Sequence, residues 1–229
     1  MLVREAKWFA QRFRELGDDA LFPMLNIGSH TDEFRTREQP WIDRTVFAPP
    51  RQRGLKVVHL DIRQAPGVDL VGDLTVPAFL EKIAAMNFRS AFCSNLLEHV
   101  PNREAICAAA VGAVEPGGYL IVSCPNNFPY HPDPIDTMFR PGVEELASLF
   151  PDTEIVRGEL VPSGTLTGYI AAKFASDPLA LGRNLFKRKA QVVKATDSGM
   201  SARSWVPWLW RTFYQTCIVL KKQPLAEDR

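Results

Sequence analysis

The sequence predicts a single α/β domain whose mostly parallel sheet is covered on both faces. Three observations predict it. Short apolar runs alternate with amphipathic stretches, the pattern of parallel strands joined by right-handed helical crossovers. The runs are apolar almost throughout, as in strands buried on both faces. Glycine, acidic and small polar residues follow the runs directly, at the strand ends where open α/β sheets bind ligands. With 229 residues, 46% of them hydrophobic, the chain suits one domain (1–229) with insertions rather than two full domains.

The elements follow in order. Residues 1–20 predict an N-terminal helix, with Leu2, Ala6, Phe9, Phe13 and Leu16 at i+3/i+4 spacing and Gly17 as its stop. Phe22 to Ile27 predicts a buried strand ending at Gly28. Residues 31–54 carry Pro40, Pro49 and Pro50 and are expected to be irregular, around an apolar patch of Trp41, Ile42, Val46 and Phe47. Lys56 to Leu60 and Val68 to Val71 predict the second and third strands, and Val76 to Met86 a helix. Ser90 to Ser94 predicts a strand, followed by a helix that Asn102 caps and Glu104 favours at its first turn. Pro116-Gly117-Gly118 predicts a tight turn, and Tyr119 to Cys124 the most apolar strand. A proline-rich loop leads to a helix at Val143, Leu146 and Phe150. Glu154 to Leu160 and Tyr214 to Leu220 predict the last strands, with residues 162–212, too long for an ordinary connection, as a helical insertion.

Composition excludes some functions. The net charge of +1 gives no global field for nucleic acid. From Lys173 to Lys222, however, ten Lys/Arg face only Asp177 and Asp197, so a local basic face is expected near the C-terminus. Lys187, Arg188 and Lys189 keep nucleic acid open as a partner class. The favoured reading is a helical flap with solvated lysines and with Trp205, Trp208 and Trp210 clustered in the core. Cys93, Cys107, Cys124 and Cys217 have no CxxC spacing and read as buried free thiols of a reducing, cytoplasmic compartment. No h-region of a signal peptide is present, and no run approaches the roughly 18 apolar residues of a membrane span. His30, His59, His99 and His131 share no ligand spacing, so no metal site is expected.

The strand ends carry the chemistry. A glycine after the first strand lets backbone approach a ligand closely. An acidic residue after the second, Asp61, is placed to accept from ribose hydroxyls, and one after the third, Asp73, from an adenine amino group. Single residues of this kind are weak signals; their order along successive strands is a stronger one.

Five segments resemble the class I S-adenosylmethionine-dependent methyltransferases, and among them the type 11-like members whose first motif reads like "LNIG". They are Met24-Leu25-Asn26-Ile27-Gly28, Val58 to Ile62, Val71 to Leu74, Ser94 to Pro101 and Val114 to Val122. The runs "LEHVP" and "PGGYLIV" are the most specific, and the resemblance spans roughly Phe22 to Pro162. It implies a Rossmann-like, doubly wound, seven-stranded sheet with an antiparallel last strand, and S-adenosylmethionine as cofactor. By resemblance Asp61 holds the ribose and Asp73 the adenine, with Ile62 and Leu74 beside them. Gly28, Ser29, His30, Ser94 and Asn95 line the methionine moiety. Asn26 stands where the family often has an acidic residue.

The glycine loop departs from the family pattern. His30 replaces the second glycine, and the interval from Gly28 to Asp61 exceeds the roughly 20 residues usual between such positions. The extra segment is expected to loop out or cover the site. Methyl transfer needs chiefly orientation of the acceptor and removal of its proton. His131, His99 and Asp133 are the candidate proton acceptors, with Asp136 also in reach. Tyr130 and Arg140 are the candidate acceptor-binding residues, Arg140 suiting an anionic group. The expected function is therefore methyl transfer to a small molecule or glycan. The alternative is a methyltransferase-like fold without methyl transfer, serving as a binding or scaffold protein. A dinucleotide oxidoreductase is disfavoured, since GxGxxG is absent.

Overall fold

The computed structural model describes residues 1–131, 135–176 and 202–224. Seven strands form one sheet: β1 (Met24–Ile27), β2 (Val57–Asp61), β3 (Leu70–Val71), β4 (Phe88–Ser94), β5 (Val114–Asn127), β6 (Thr153–Gly164) and β7 (Phe213–Lys222). Their order is β3-β2-β1-β4-β5-β7-β6. The pairs among β1 to β5 are parallel. β7 runs antiparallel to both β5 and β6. The chain thus has the Rossmann-like, doubly wound fold with an antiparallel last strand. The order reverses at β1 and β4, so the carboxyl ends of these two strands flank the crevice of a topological switch point.

Strand alternation sorts the side chains into two layers. Leu25 and Ile27 of β1, Ala91 and Cys93 of β4, and Leu120 and Val122 of β5 pack on one face. They meet Ile83 of α4 (Pro77–Ala84), Cys107 and Ala110 of α5 (Arg103–Gly112) and Leu146 of α6 (Val143–Ala147). Met24, Phe92 and Ile121 face the other way, against Ala6, Phe9 and Phe13 of α1 (Val3–Leu16). Asn102 caps α5, its Oδ1 accepting from the Ala105 amide at 3.3 Å. All four cysteines are free and buried.

The segment expected to be irregular is instead a broken helical layer. It holds two π-helical turns, Phe34–Glu38 and Asp43–Phe47, and α3 (Ala48–Gln52), while a short helical turn α2 (Asp18–Leu21) precedes β1. Its prolines divide it into turns, and Pro49 and Pro50 sit in the first turn of α3, where a missing N–H costs nothing. Trp41, Ile42, Val46 and Phe47 are buried beside α1. This segment packs as a layer on the sheet, and its first turn, through Phe34 and Arg35, lies against the loops at the strand ends. It is the crossover that brings β1 back to pair in parallel with β2, and its length reflects that task. α7 (Leu166–Ser176) and a 3-10 stretch, Ala202–Leu209, lie between β6 and β7. No helix among the described residues is long and apolar enough to cross a membrane.

Candidate functional site

The loop after β1 adopts left-handed backbone twice, at Gly28 (φ 67°) and His30 (φ 57°). His30 pays about 1–2 kcal/mol for that conformation where glycine would not. Among its contacts, two engage the amide and the ring. Its amide donates to Asp61 Oδ2 at 3.0 Å, and its ring stacks on Phe34 with centroids 4.1 Å apart. The imidazole therefore lies against the crossover layer. Asp61 also accepts from the Arg63 amide through Oδ1 at 3.1 Å, so its carboxylate joins the glycine loop to the turn after β2.

Arg35, not anticipated from the sequence, locks this loop. Its buried guanidinium donates to the carbonyls of Ser29 (2.7 Å), His30 (2.6 Å) and Gly67 (2.7 Å). Burial lowers its pKa, against the pull of Asp32, Asp43 and Asp69. Asn26 does not reach the strand end. Its Nδ2 donates to Nδ1 of His59 at 2.9 Å. Burial, then the Arg35 charge, pushes His59 down to about 4, so its ring is neutral at pH 7.

Asp73 lies after β3 and accepts from the hydroxyl and amide of Thr75 at 2.7 and 2.9 Å; these bonds lower its pKa. Leu74 is core, whereas Ile62, beside Asp61, is 65% exposed. Val71, which pairs with Asp61, is also exposed, at 45%, so apolar surface adjoins the Asp61 carboxylate at the strand ends.

Ser94 and Asn95, at the end of β4, converge on a residue from the other end of the chain. Oε1 of Glu5 accepts from Asn95 Nδ2 (2.8 Å), Ser94 Oγ (3.2 Å) and Ser123 Oγ of β5 (2.6 Å). Its Oε2 accepts from the Leu2 amide at 2.8 Å. Glu5 is fully buried, with donors on both oxygens. The signal for it was present: Glu5 lies on the apolar stripe, three residues after Leu2 and four before Phe9. A charged side chain there must find partners.

On the far side of β4 and β5, the loop 135–141 docks on the "LEHVP" turn. The amide and hydroxyl of Thr137 donate to the Glu98 carbonyl at 2.9 and 3.0 Å. His99 and His131, 32 positions apart in chain order, stand with ring centroids 5.1 Å apart. Nδ1 of His131 is 3.1 Å from Asp136 Oδ2; burial lowers the His131 pKa while Asp136 opposes it. Burial raises the Asp136 carboxyl, but bonds from Arg140 and from the His131 and Met138 amides outweigh it, and its pKa is lowered. Beneath the pair is Glu98, fully buried, its carboxyl pushed up to about 7 by burial. Neither Glu98 nor this clustering was visible from spacing.

Arg140 is engaged within its own loop. It forms a two-pronged pair with Asp136 at 3.1 and 2.6 Å and donates to the carbonyls of Phe128, Phe139 and Pro129. That engages all five guanidinium N–H groups, so Arg140 knots the loop. Tyr130 is half-buried on the same loop. Asp133 and the run Lys187 to Lys189 lie outside the described residues. The expected tryptophan core is also corrected. Trp208 stacks on Phe213 with centroids 5.4 Å apart, but Trp210 is 71% exposed. A hollow of about 440 Å³ lined by Phe13, Asp18, Pro49 and Arg53 lies at the amino end of the sheet, away from all these groups.

No protein-family model matches the chain, and no curated protein matches it. Solved structures do. Coclaurine N-methyltransferase, bound to N-methylheliamine and SAH, is 14% identical with a TM-score of 0.56, covering 95% of this chain and 69% of its own. The [4+2]-cyclase SpnF is 16% identical with a TM-score of 0.55, covering 97% and 81%. YjhP from E. coli is 13% identical with a TM-score of 0.53, covering 94% and 91%. At these identities the likeness is one of fold. That a methyltransferase and a cyclase share it shows that the reaction must be argued from the site. The chain has the fold of the S-adenosylmethionine-dependent methyltransferases.

Proposed function

We propose that this protein is an S-adenosylmethionine-dependent methyltransferase acting on a small molecule or glycan. The supporting observation is the ordered set of residues at adjacent carboxyl ends: Gly28 and Ser29 after β1, Asp61 after β2, Asp73 after β3, Ser94 and Asn95 after β4. Asp61 takes the ribose hydroxyls, Asp73 the adenine amino group, and exposed Ile62 one face of the adenine ring. The backbone of Gly28 to His30, held by Arg35, receives the methionine end, with Ser94 and Asn95 opposite. The acceptor enters over β4 and β5, where His131 or His99 takes its proton, with Asp133 on the same loop outside the described residues. Arg140, paired with Asp136, is the cation on that side that would meet an anionic group on the acceptor. Four buried free thiols fit a reducing cytoplasm.

Calorimetry with S-adenosylmethionine tests this. The wild type binds, and Asp61→Ala and Asp73→Ala each lose roughly tenfold or more, the scale of a lost hydrogen bond to a charged group. A wild type that does not bind, with both variants alike, sinks the proposal.

One observation favours the alternative of a binding or scaffold protein. The space beside Gly28 faces the Leu96 side chain, whose Cδ1 would lie 3.0 Å from a Cβ built there. Leu96 in that place narrows the space beside Gly28. Leu96→Ala then raises cofactor affinity under the methyltransferase reading and changes nothing under the other.

A further inference from the structure

We propose that Glu98, His99 and His131 form a binding site for one divalent transition-metal ion of the zinc class. The inference builds on the reading of this loop as the acceptor side, and it reverses the expectation that histidine spacing excludes a metal.

Three observations carry it. First, one ligand atom from each residue lies within 4.8 Å of the other two. Bonds of about 2.1 Å to a shared tetrahedral ion set donors roughly 3.4 Å apart, a closure that rotation of the two rings supplies. Two imidazoles and a carboxylate are the donor set of open, three-ligand zinc sites.

Second, Glu98 Oε1 is buried and has no hydrogen-bond partner, although its side chain is fully buried. It is directed at the cluster, 3.6 Å from Nε2 of His99. That is too long for a hydrogen bond, so a proton shared with the ring does not account for it. A cation seated there would pair this buried oxygen and favour the ionised form that burial alone disfavours.

Third, each histidine has its other nitrogen engaged. Nδ1 of His99 donates to the Ile135 carbonyl at 2.5 Å. Nδ1 of His131 faces Asp136 Oδ2, and Asp136 is itself held by Arg140 and the Met138 amide. Outer partners of this kind fix the tautomer and orient Nε2 toward a metal. They also give the Arg140 knot a purpose, which is to brace a ligand.

Three protein ligands leave one position open for water or an acceptor oxygen. His99 and His131 keep 17% and 25% of their side chains exposed, so that position opens toward solvent. A hydroxyl bound there has its pKa lowered by the ion, so with the ion in place the ion takes over from a free histidine in easing loss of the acceptor's proton.

The test uses the full-length, untagged, chelator-stripped protein titrated with Co(II), followed by visible absorption, then with Zn(II) in competition. One Co(II) binds per chain with a nitrogen- and oxygen-ligand spectrum, and Zn(II) displaces it. His131→Ala, His99→Ala and the near-isosteric Glu98→Gln each weaken binding by at least roughly tenfold, the lower range for outer-partner loss. Circular dichroism checks that each variant folds. No saturable binding to the wild type overturns the proposal. So does equal affinity in folded His131→Ala, or a thiolate charge-transfer band placing the ion on cysteine. The ion is titrated without S-adenosylmethionine, so failure here is separate from failure of the cofactor calorimetry.

Discussion

Arg35 shows how one side chain can set a cofactor loop. Three carbonyls from two loops, Ser29, His30 and Gly67, converge on one guanidinium. The planar fork of arginine reaches divergent acceptors that a lysine ammonium cannot reach together. Arg35→Ala strands these carbonyls and opens a hole beside His30, and we expect a loss on the order of 2–4 kcal/mol. Arg35→Lys should recover little of it. Urea unfolding of both variants checks this; full stability in Arg35→Lys would mean that charge alone suffices. The placement of Asp61, Asp73 and Gly28 at strand ends was legible, because a polar or glycine residue closing an apolar run marks where a strand stops. Arg35 was not, because a charged residue in a proline-broken stretch has no periodicity to mark it as buried. The pairing of Arg140 with Asp136 was not legible, since sequence does not reveal that Asp136, four residues earlier, turns inward to meet it.

Among the elements, α1 does more than cover the sheet. Its apolar stripe packs on Phe92 with Phe9 edge-on at 4.7 Å, while Glu5 on the same stripe ties together the ends of β4 and β5. Losing the carboxylate leaves Ser94, Asn95 and Ser123 without their shared acceptor in a dry setting. We therefore expect Glu5→Ala to cost about 3–5 kcal/mol, the range for breaking a buried charged network, and Glu5→Gln to cost less. Thermal melts separate the two variants; equal and small losses would show that the network contributes nothing. The strands and α1 were legible because the two-residue and 3.6-residue periods of apolar positions are written directly in the chain. Residues 31–54 were not, because their prolines erase the helical period while leaving burial intact. Trp41 and Phe47 were visible as an apolar patch, yet only the parallel pairing of β1 with β2 assigns them to a crossover.

At the scale of the whole molecule, the two layers meet the sheet with different chemistry. One is almost wholly aliphatic around α4 and α5. The other, between α1 and the crossover, holds aromatic residues and the polar pair Asn26–His59. His59 is packed edge-on against Phe47 at 5.1 Å. Arg35, Arg51, Asp69 and Asp43 are the charges around it, and the Asp69 carboxylate accepts from its amide. This pair links folding to pH. The folded pKa of His59, about 4, lies below its ordinary 6.5. Between these values the unfolded chain binds the proton and the folded protein does not, so stability falls as pH drops. The contribution is fully present above pH 6.5, declines through the window and levels off below about pH 4. At roughly 1.4 kcal/mol per pH unit, it reaches about 3 kcal/mol. Carboxylates titrate in the same range, so the wild-type profile alone does not isolate it. His59→Gln lacks the proton site while leaving those carboxylates in place, and they drop out of the difference between the two proteins. Measured by urea unfolding from pH 7 to pH 4, the stability of His59→Gln relative to wild type should rise by about 3 kcal/mol as pH falls. A difference that stays flat across the window would mean that His59 protonates in the folded state as readily as in the unfolded chain.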